Sequence, residues 1–182
     1  MASQYKGPLR AFRIARAKFP LFDGTGAAIA GARWSVKGQR VIYAALSYEG
    51  ALLEILVHSN LGRVPRGFAS IEIHIPAEVD IEEVTPNDLP EWDAPNCAAS
   101  RTFGSRWYKV MRSAVLVVPS VAGSGVGRNV LLNQEHPQFH LLSASRPQPV
   151  RWDRRLFRRQ MRIPGQGERQ LEVIVSANSK PS

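Results

Sequence analysis

Apolar and polar positions alternate from early in the chain, in LRAFRIA, residues 9–15, and this period of two predicts a short strand. Pro20, Gly24, Gly26 and Gly31 then punctuate FPLFDGTGAAIAG, residues 19–31, which reads as a loop. RVIYAAL, residues 40–46, is a continuous apolar run rich in β-branched and aromatic residues and predicts a buried strand. At Ser47 the period changes. Ser47 is a good N-cap, Glu49 puts acidic charge in the first turn, and Leu52, Leu53, Leu56 and Val57 form an apolar face, so a helix is expected to about His58.

The second half is read in the same way. FASIEIHIP, residues 68–76, sets Ile71, Ile73 and Ile75 against Glu72 and His74, a strand with one wetter face. Residues 84–97 carry Pro86, Pro90 and Pro95 and read as loop with at most one helical turn. Residues 99–113 predict a helix in which Gly104 is a weak point. AVLVVPS, residues 114–120, is a strand ending at Pro119-Ser120, and VAGSGVGRN, residues 121–129, is a glycine-rich loop. VLLN, residues 130–133, and FHLLSAS, residues 139–145, suggest two further short strands, and WDRRLF, residues 152–157, comes near the end of the packed unit. Strands dominate over one or two good helices, so the class is α+β, a single mixed domain. Its bounds are set at 8–160, with residues 161–182 as an extension that adds one edge strand at LEVIV before a disordered end.

Composition narrows the function classes. With 182 residues, 44% hydrophobic and 21% charged, the chain is long enough for a real core and is ordinary for a globular protein. No apolar run approaches the roughly 20 residues of a membrane helix, and MASQYKGPLRAF lacks the apolar centre of a secretory signal, so no membrane partner and a cytoplasmic location are expected. Cys97 is the only cysteine, which excludes an internal disulfide and a cysteine-built metal site. His58, His74, His136 and His140 have no metal-ligand spacing, so no metal is expected. The net charge of +9 fits nucleic acid, a pyrophosphate-bearing ligand or an acidic protein partner. The basic residues are dispersed, with no basic helix, zinc-finger spacing or aromatic RNA-binding pattern.

Four residues carry candidate chemistry. Glu54 sits in ALLEILVH with apolar flanks: either it faces solvent on an amphipathic helix, or it is partly buried and needs a partner, for which Arg33 stands upstream. Arg33 lies among Gly31, Ser35 and Gly38, where a ligand can approach the backbone and the guanidinium can grip phosphate; the plain alternative is a surface arginine stacked on Trp34. Arg13 is an inward strand side chain or a charge on the wet face. Tyr43 reads first as a core aromatic and second as a platform for a flat heterocycle. The loop GSGVGRN lacks the ending of a P-loop and opens no helix, and Ser120 has no nucleophile-elbow context.

Taken in order, these blocks resemble the RES-domain family, the toxin half of bacterial Xre–RES toxin–antitoxin pairs. FRIAR opens the match, and GARWSVKGQRVIYAALSYEGALLEILVH, residues 31–58, is its most specific block. FGSRW, VLVVPS, Asn129 with LLNQEHPQF, and WDRRLF follow in family order, so the resemblance spans about residues 9–158. Ser35 stands where asparagine is common, and the loop before Asn129 is glycine-rich rather than acidic.

The resemblance implies an ADP-ribosyltransferase-like split β-sheet with flanking helices, and NAD+ as substrate. It implies Arg33, Glu54 and Ser120 as catalytic residues, Ser113 competing for the serine position. Arg13, Arg33, Tyr43, Ser120 and Asn129 would bind NAD+. Cleavage of the nicotinamide–ribose bond would pass ADP-ribose to water, phosphate or a target protein. A cognate Xre-type antitoxin is the implied partner, with nucleic acid engaged only through it. The competing class is a non-enzymatic basic domain that binds nucleic acid or protein, with Glu54 and Arg33 as a structural ion pair.

Overall fold

The computed structural model describes residues 2–58 and 64–157. In chain order the elements are β1 (Ser3–Lys6), β2 (Leu9–Arg16), α1 (Thr25–Ala30), β3 (Val41–Ala45), α2 (Tyr48–Val57), β4 (Phe68–Ile75) and β5 (Asp80–Glu83). They continue with α3 (Ala98–Val110), β6 (Val115–Pro119), β7 (Arg128–Asn133), β8 (Ser143–Ala144) and β9 (Gln148–Pro149), with 3-10 turns at Pro137–Leu141 and Arg154–Phe157. The expected strands at 9–15, 40–46, 68–76, 114–120 and 130–133 and the helices from Ser47 and residue 99 are all present.

Three expectations are corrected. The loop 19–31 contains the short helix α1. FHLLSAS is not a strand: Pro137 starts a 3-10 turn capped by the His136 ring, and only Ser143–Ala144 pair in the sheet. Here the turn chemistry overrides an apolar run. Three strands, β1, β5 and the two-residue β9, were not anticipated; β1 and β5 pair with each other at Ser3↔Glu83 through Lys6↔Asp80 and carry too many polar residues to alternate cleanly. The LEVIV strand lies outside the described residues.

Among the described residues nine strands form one mixed sheet in the order β1-β5-β6-β7-β3-β2-β4-β8, with β9 also on β4. Only β5 and β6 run parallel; every other pair is antiparallel. β6 is buried along its whole length, which is why VLVVP is apolar without alternation. Val115 and Val117 face the core beneath β4 and β7, whereas Leu116 and Val118 face a second core with Trp34, Trp92, Trp107 and Tyr108 of the α3 side.

The sheet is split at its centre. β2 pairs β4 over eight residues and β3 pairs β7 over five, but β2 and β3 share the single pair Phe12↔Ala45. α2 lies over this divergence, packing Ala51, Leu52 and Ile55 against Ile14, Ala45 and Phe12. A cleft opens where the two strands separate.

Candidate active site

Ser47 fixes where α2 begins: its side chain accepts the Gly50 N–H at 2.9 Å, satisfying one of the free donors of the first turn. The helical register then turns Ala51, Glu54, Ile55 and His58 toward the cleft at the split. The cleft encloses about 330 Å3, and Arg13 from β2, Tyr43 from β3 and Asn129 from β7 complete its polar lining. Two other depressions, of about 490 and 610 Å3, are larger. One is lined by basic residues of α3 and the other by prolines and apolar residues, and neither contains a carboxylate, so chemistry rather than size selects the site.

Glu54 has two neutral partners. The Ser120 hydroxyl donates to Glu54 Oε1 at 2.7 Å, and the Asn129 amide donates to the same oxygen at 2.8 Å. Ser120 is buried, and its oxygen accepts the Gly123 N–H at 3.0 Å, so its own proton is directed at the carboxylate. This arrangement corrects the expectation that Arg33 partners Glu54. Arg33 Nη1 instead donates to the carbonyls of Trp92 at 3.2 Å and Ala94 at 3.0 Å, pinning the proline-rich segment. Its neighbour Ala32 lines the cleft; Arg33 does not.

Arg13 crosses the split. Its Nη1 donates to the Tyr43 carbonyl at 3.1 Å and its Nη2 approaches the Asp23 carbonyl at 3.5 Å. The buried Nε has no partner among the described residues. Burial lowers its pKa below the usual arginine range, an effect the Asp23 charge opposes. Arg13 is therefore an inward side chain that replaces strand pairing with a guanidinium.

Tyr43 packs beside the second core and also lines the cleft. Its hydroxyl shares a 2.9 Å hydrogen bond with Ser35 Oγ, and burial pushes its pKa up to about 12. A serine at position 35 thus keeps a polar partner where asparagine was the family expectation. Ser113, the competing serine, is buried in the core and does not line the cleft: its oxygen accepts Trp107 Nε1 and its proton goes to the Val115 carbonyl, both at 2.8 Å.

The structure therefore brings Arg13, Tyr43, Glu54, Ser120 and Asn129 together, while Arg33 is not among the residues that line the cleft. His58 is the lining residue that sequence reasoning passed over as a site member; its spacing of four from Glu54 was the available signal. Among the described residues no group of three or more His, Cys, Asp or Glu side chains is placed to hold a metal ion, and no helix is long and apolar enough to cross a membrane.

Known proteins give this geometry a family. The RES domain model matches residues 10–153. The chain is 39% identical over 141 residues to the Prs ADP-ribosylating toxin of Sphingobium sp., covering 75% of this chain and 87% of that protein. It is 37% identical over 134 residues to Toxin Res of Photorhabdus laumondii, covering 71% and 84% of the two chains. The crystal structure of the M. tuberculosis MbcT–MbcA toxin–antitoxin complex contains a chain of the same fold, with a TM-score of 0.68 at 15% identity, covering 81% of this chain and 86% of that one. The mixed α+β fold, the ordered motifs and the match across residues 10–153 lead to one assignment: this chain belongs to the RES domain family.

Proposed function

We propose that this protein is the toxin of a toxin–antitoxin pair, an enzyme that cleaves the bond between nicotinamide and ribose in NAD+ and passes ADP-ribose to a protein acceptor. The observation that carries this reading is the carboxylate of Glu54, held by two donors on one oxygen at the mouth of a split sheet. The same cleft offers a buried cation in Arg13 and an aromatic face in Tyr43. Its volume of about 330 Å3 is at the low end for small-molecule sites, enough for one nucleoside end of a dinucleotide.

The chemistry follows from charge. Nicotinamide leaves with the bonding pair as a neutral molecule, and positive charge develops on the ribose. Ser120 and Asn129 hold Glu54 Oε1, which orients Oε2 toward the ribose, where its negative charge stabilises the developing cation. Preorganisation is the point of the two donors: the carboxylate need not reorient as charge appears. Arg13 is suited to the pyrophosphate, because a buried guanidinium matches phosphate oxygens in pairs. Arg33 follows the cleft-lining Ala32 in the chain, and we assign it a second contact to the phosphate or adenylate end through donors beyond Nη1. Tyr43 packs on the nicotinamide end.

Transfer to protein is preferred over water or phosphate because the relative at 39% identity is named an ADP-ribosylating toxin. An Xre-type antitoxin that covers the cleft in the cytoplasm fits the Toxin Res relatives and the net charge of +9. The test is incubation of the purified protein with NAD+ and a bacterial lysate, followed by mass spectrometry. Nicotinamide release with an ADP-ribose mass increment on protein is expected. Free ADP-ribose alone would move the acceptor to water, ADP-ribose phosphate would move it to phosphate, and intact NAD+ would end the reading.

A further inference from the structure

Gly104, Trp107 and Tyr108 of α3 are buried. Its outward side carries Arg101, Thr102, Ser105, Arg106 and Lys109 around a depression of about 490 Å3. In sequence the basic residues are dispersed, but the helix gathers these three cations, because positions three and four apart are neighbours on its surface. Arg101, Ser105 and Lys109 form one row, and Thr102 and Arg106 form the next. No lining residue is acidic, and α3 contains no Asp or Glu at all. Arg106 and Lys109 are exposed and three positions apart, so their charges repel. Neither has an ion-pair partner among the described residues, whereas Arg10, Arg40, Arg112, Arg128 and Arg155 each have a carboxylate.

Two of these side chains are already held. Arg101 Nε donates to the Ala32 carbonyl at 3.3 Å, and Ser105 Oγ accepts Gln39 Nε2 at 2.9 Å, which leaves the serine proton to be donated. The residue types choose among anionic partners. Nucleic-acid phosphates are contacted by Arg, Lys, Ser and Thr together, and these are five of the eight lining residues. A protein interface is centred on large, well-packed anchors and is depleted in lysine. Here the apolar lining is only Val36, Ala98 and Val110, and Lys109 stands among them. Single strands need aromatic platforms for their bases, and no aromatic residue lines the depression. From Arg101 to Lys109 the helix rises about 12 Å, over which one strand of a B-form duplex presents roughly three phosphates.

We infer that this face of α3 is a docking surface for the phosphate backbone of duplex DNA, bound without regard to sequence. The helix lies along the backbone rather than in a groove, because Trp107 and Tyr108 anchor its other side in the second core. No Asn or Gln is present in the lining to read base edges. Duplex RNA is gripped across two successive minor grooves, a spread that a single row of about 12 Å does not reach. The contact is made by this chain itself, in contrast to the expectation that nucleic acid is engaged only through a partner. DNA binding here does not depend on NAD+ cleavage, since the α3 depression and the cleft share no lining residue.

The experiment follows binding of the full chain to a fluorescein-labelled DNA duplex of roughly 20 base pairs by anisotropy, between about 50 and 200 mM KCl. Three phosphate contacts predict a slope of log affinity against log salt of about −2.7, a loss of about 40-fold across that range. Arg106→Gln and Lys109→Gln should each reduce the magnitude of the slope by about one, and weaken binding alike on duplexes of unrelated sequence, with Tm and NAD+ turnover unchanged. Lys18→Gln and Arg146→Gln, at exposed cations outside the depression, should leave the slope as it is. Equal losses at those two sites would overturn the inference and make binding a diffuse effect of the net charge of +9. An unbound duplex at the lowest salt would also overturn it, as would tighter binding of duplex RNA or of a single strand. So would binding of an acidic peptide, lost in Arg106→Gln and Lys109→Gln, by a protein whose affinity for the duplex those variants leave intact; the face would then belong to an acidic protein partner.

Discussion

At Glu54 two neutral donors converge on one carboxylate oxygen, and a hydrogen bond to a charged group is worth about 1.5–3 kcal/mol. Ser120→Ala and Asn129→Ala are each expected to lower kcat for NAD+ cleavage by roughly tenfold to a hundredfold on that basis. The two donors are coupled through the one oxygen they share, so the double variant should depart from the product of the single effects; a double variant at that product would show that they act separately. Tyr43 supplies a pH test. Its hydroxyl is raised to about 12 by burial, so the folded protein keeps a proton that the unfolded chain loses near the ordinary tyrosine value of 10. Stability should be untouched at neutral pH, fall as pH rises from about 10 and level off above about 12. Tyr5 and Tyr108 are also shifted upward, so the measurement is the difference between wild type and Tyr43→Phe in urea melts across that range, and no difference would contradict the assignment.

Among the elements, α3 shows how a local rule can point the wrong way. Helix propensity marks Gly104 as a weak point that alanine would improve by up to about 1 kcal/mol. In the fold a Cβ at this position would lie 2.0 Å from the Trp34 carbonyl oxygen, which is backbone and cannot swing aside. Gly104→Ala is therefore expected to destabilise by at least about 1–3 kcal/mol, read from denaturant midpoints, and an increase in stability would refute the close approach. The main strands and helices were legible because their periods are clean: β4 alternates, β6 is apolar throughout, and Ser47 caps α2. β1 and β5 were not, since SQYK and DIEE gain their strand character only from each other and from β6. Pairing partners distant in sequence override weak local preference there.

Across the whole molecule the decisive feature is the split between β2 and β3, and no local pattern announces it. Each strand reads as ordinary; what separates them is that Arg13 donates to the Tyr43 carbonyl where a backbone partner would otherwise stand. The candidate residues could be named from ordered motifs, but their grouping could not. Arg33 and Glu54 look like a pair in sequence, yet the fold spends Arg33 on Trp92 and Ala94 and gives Glu54 to Ser120 and Asn129, 66 and 75 positions away. The measurement that bears most directly on the account is NAD+ cleavage by Glu54→Gln beside wild type, with matched circular dichroism and Tm. Glutamine keeps an oxygen for both donors and removes only the charge, so the account predicts turnover lower by about a hundredfold or more in a protein of unchanged stability. A folded Glu54→Gln variant that turns over NAD+ at the wild-type rate would contradict it.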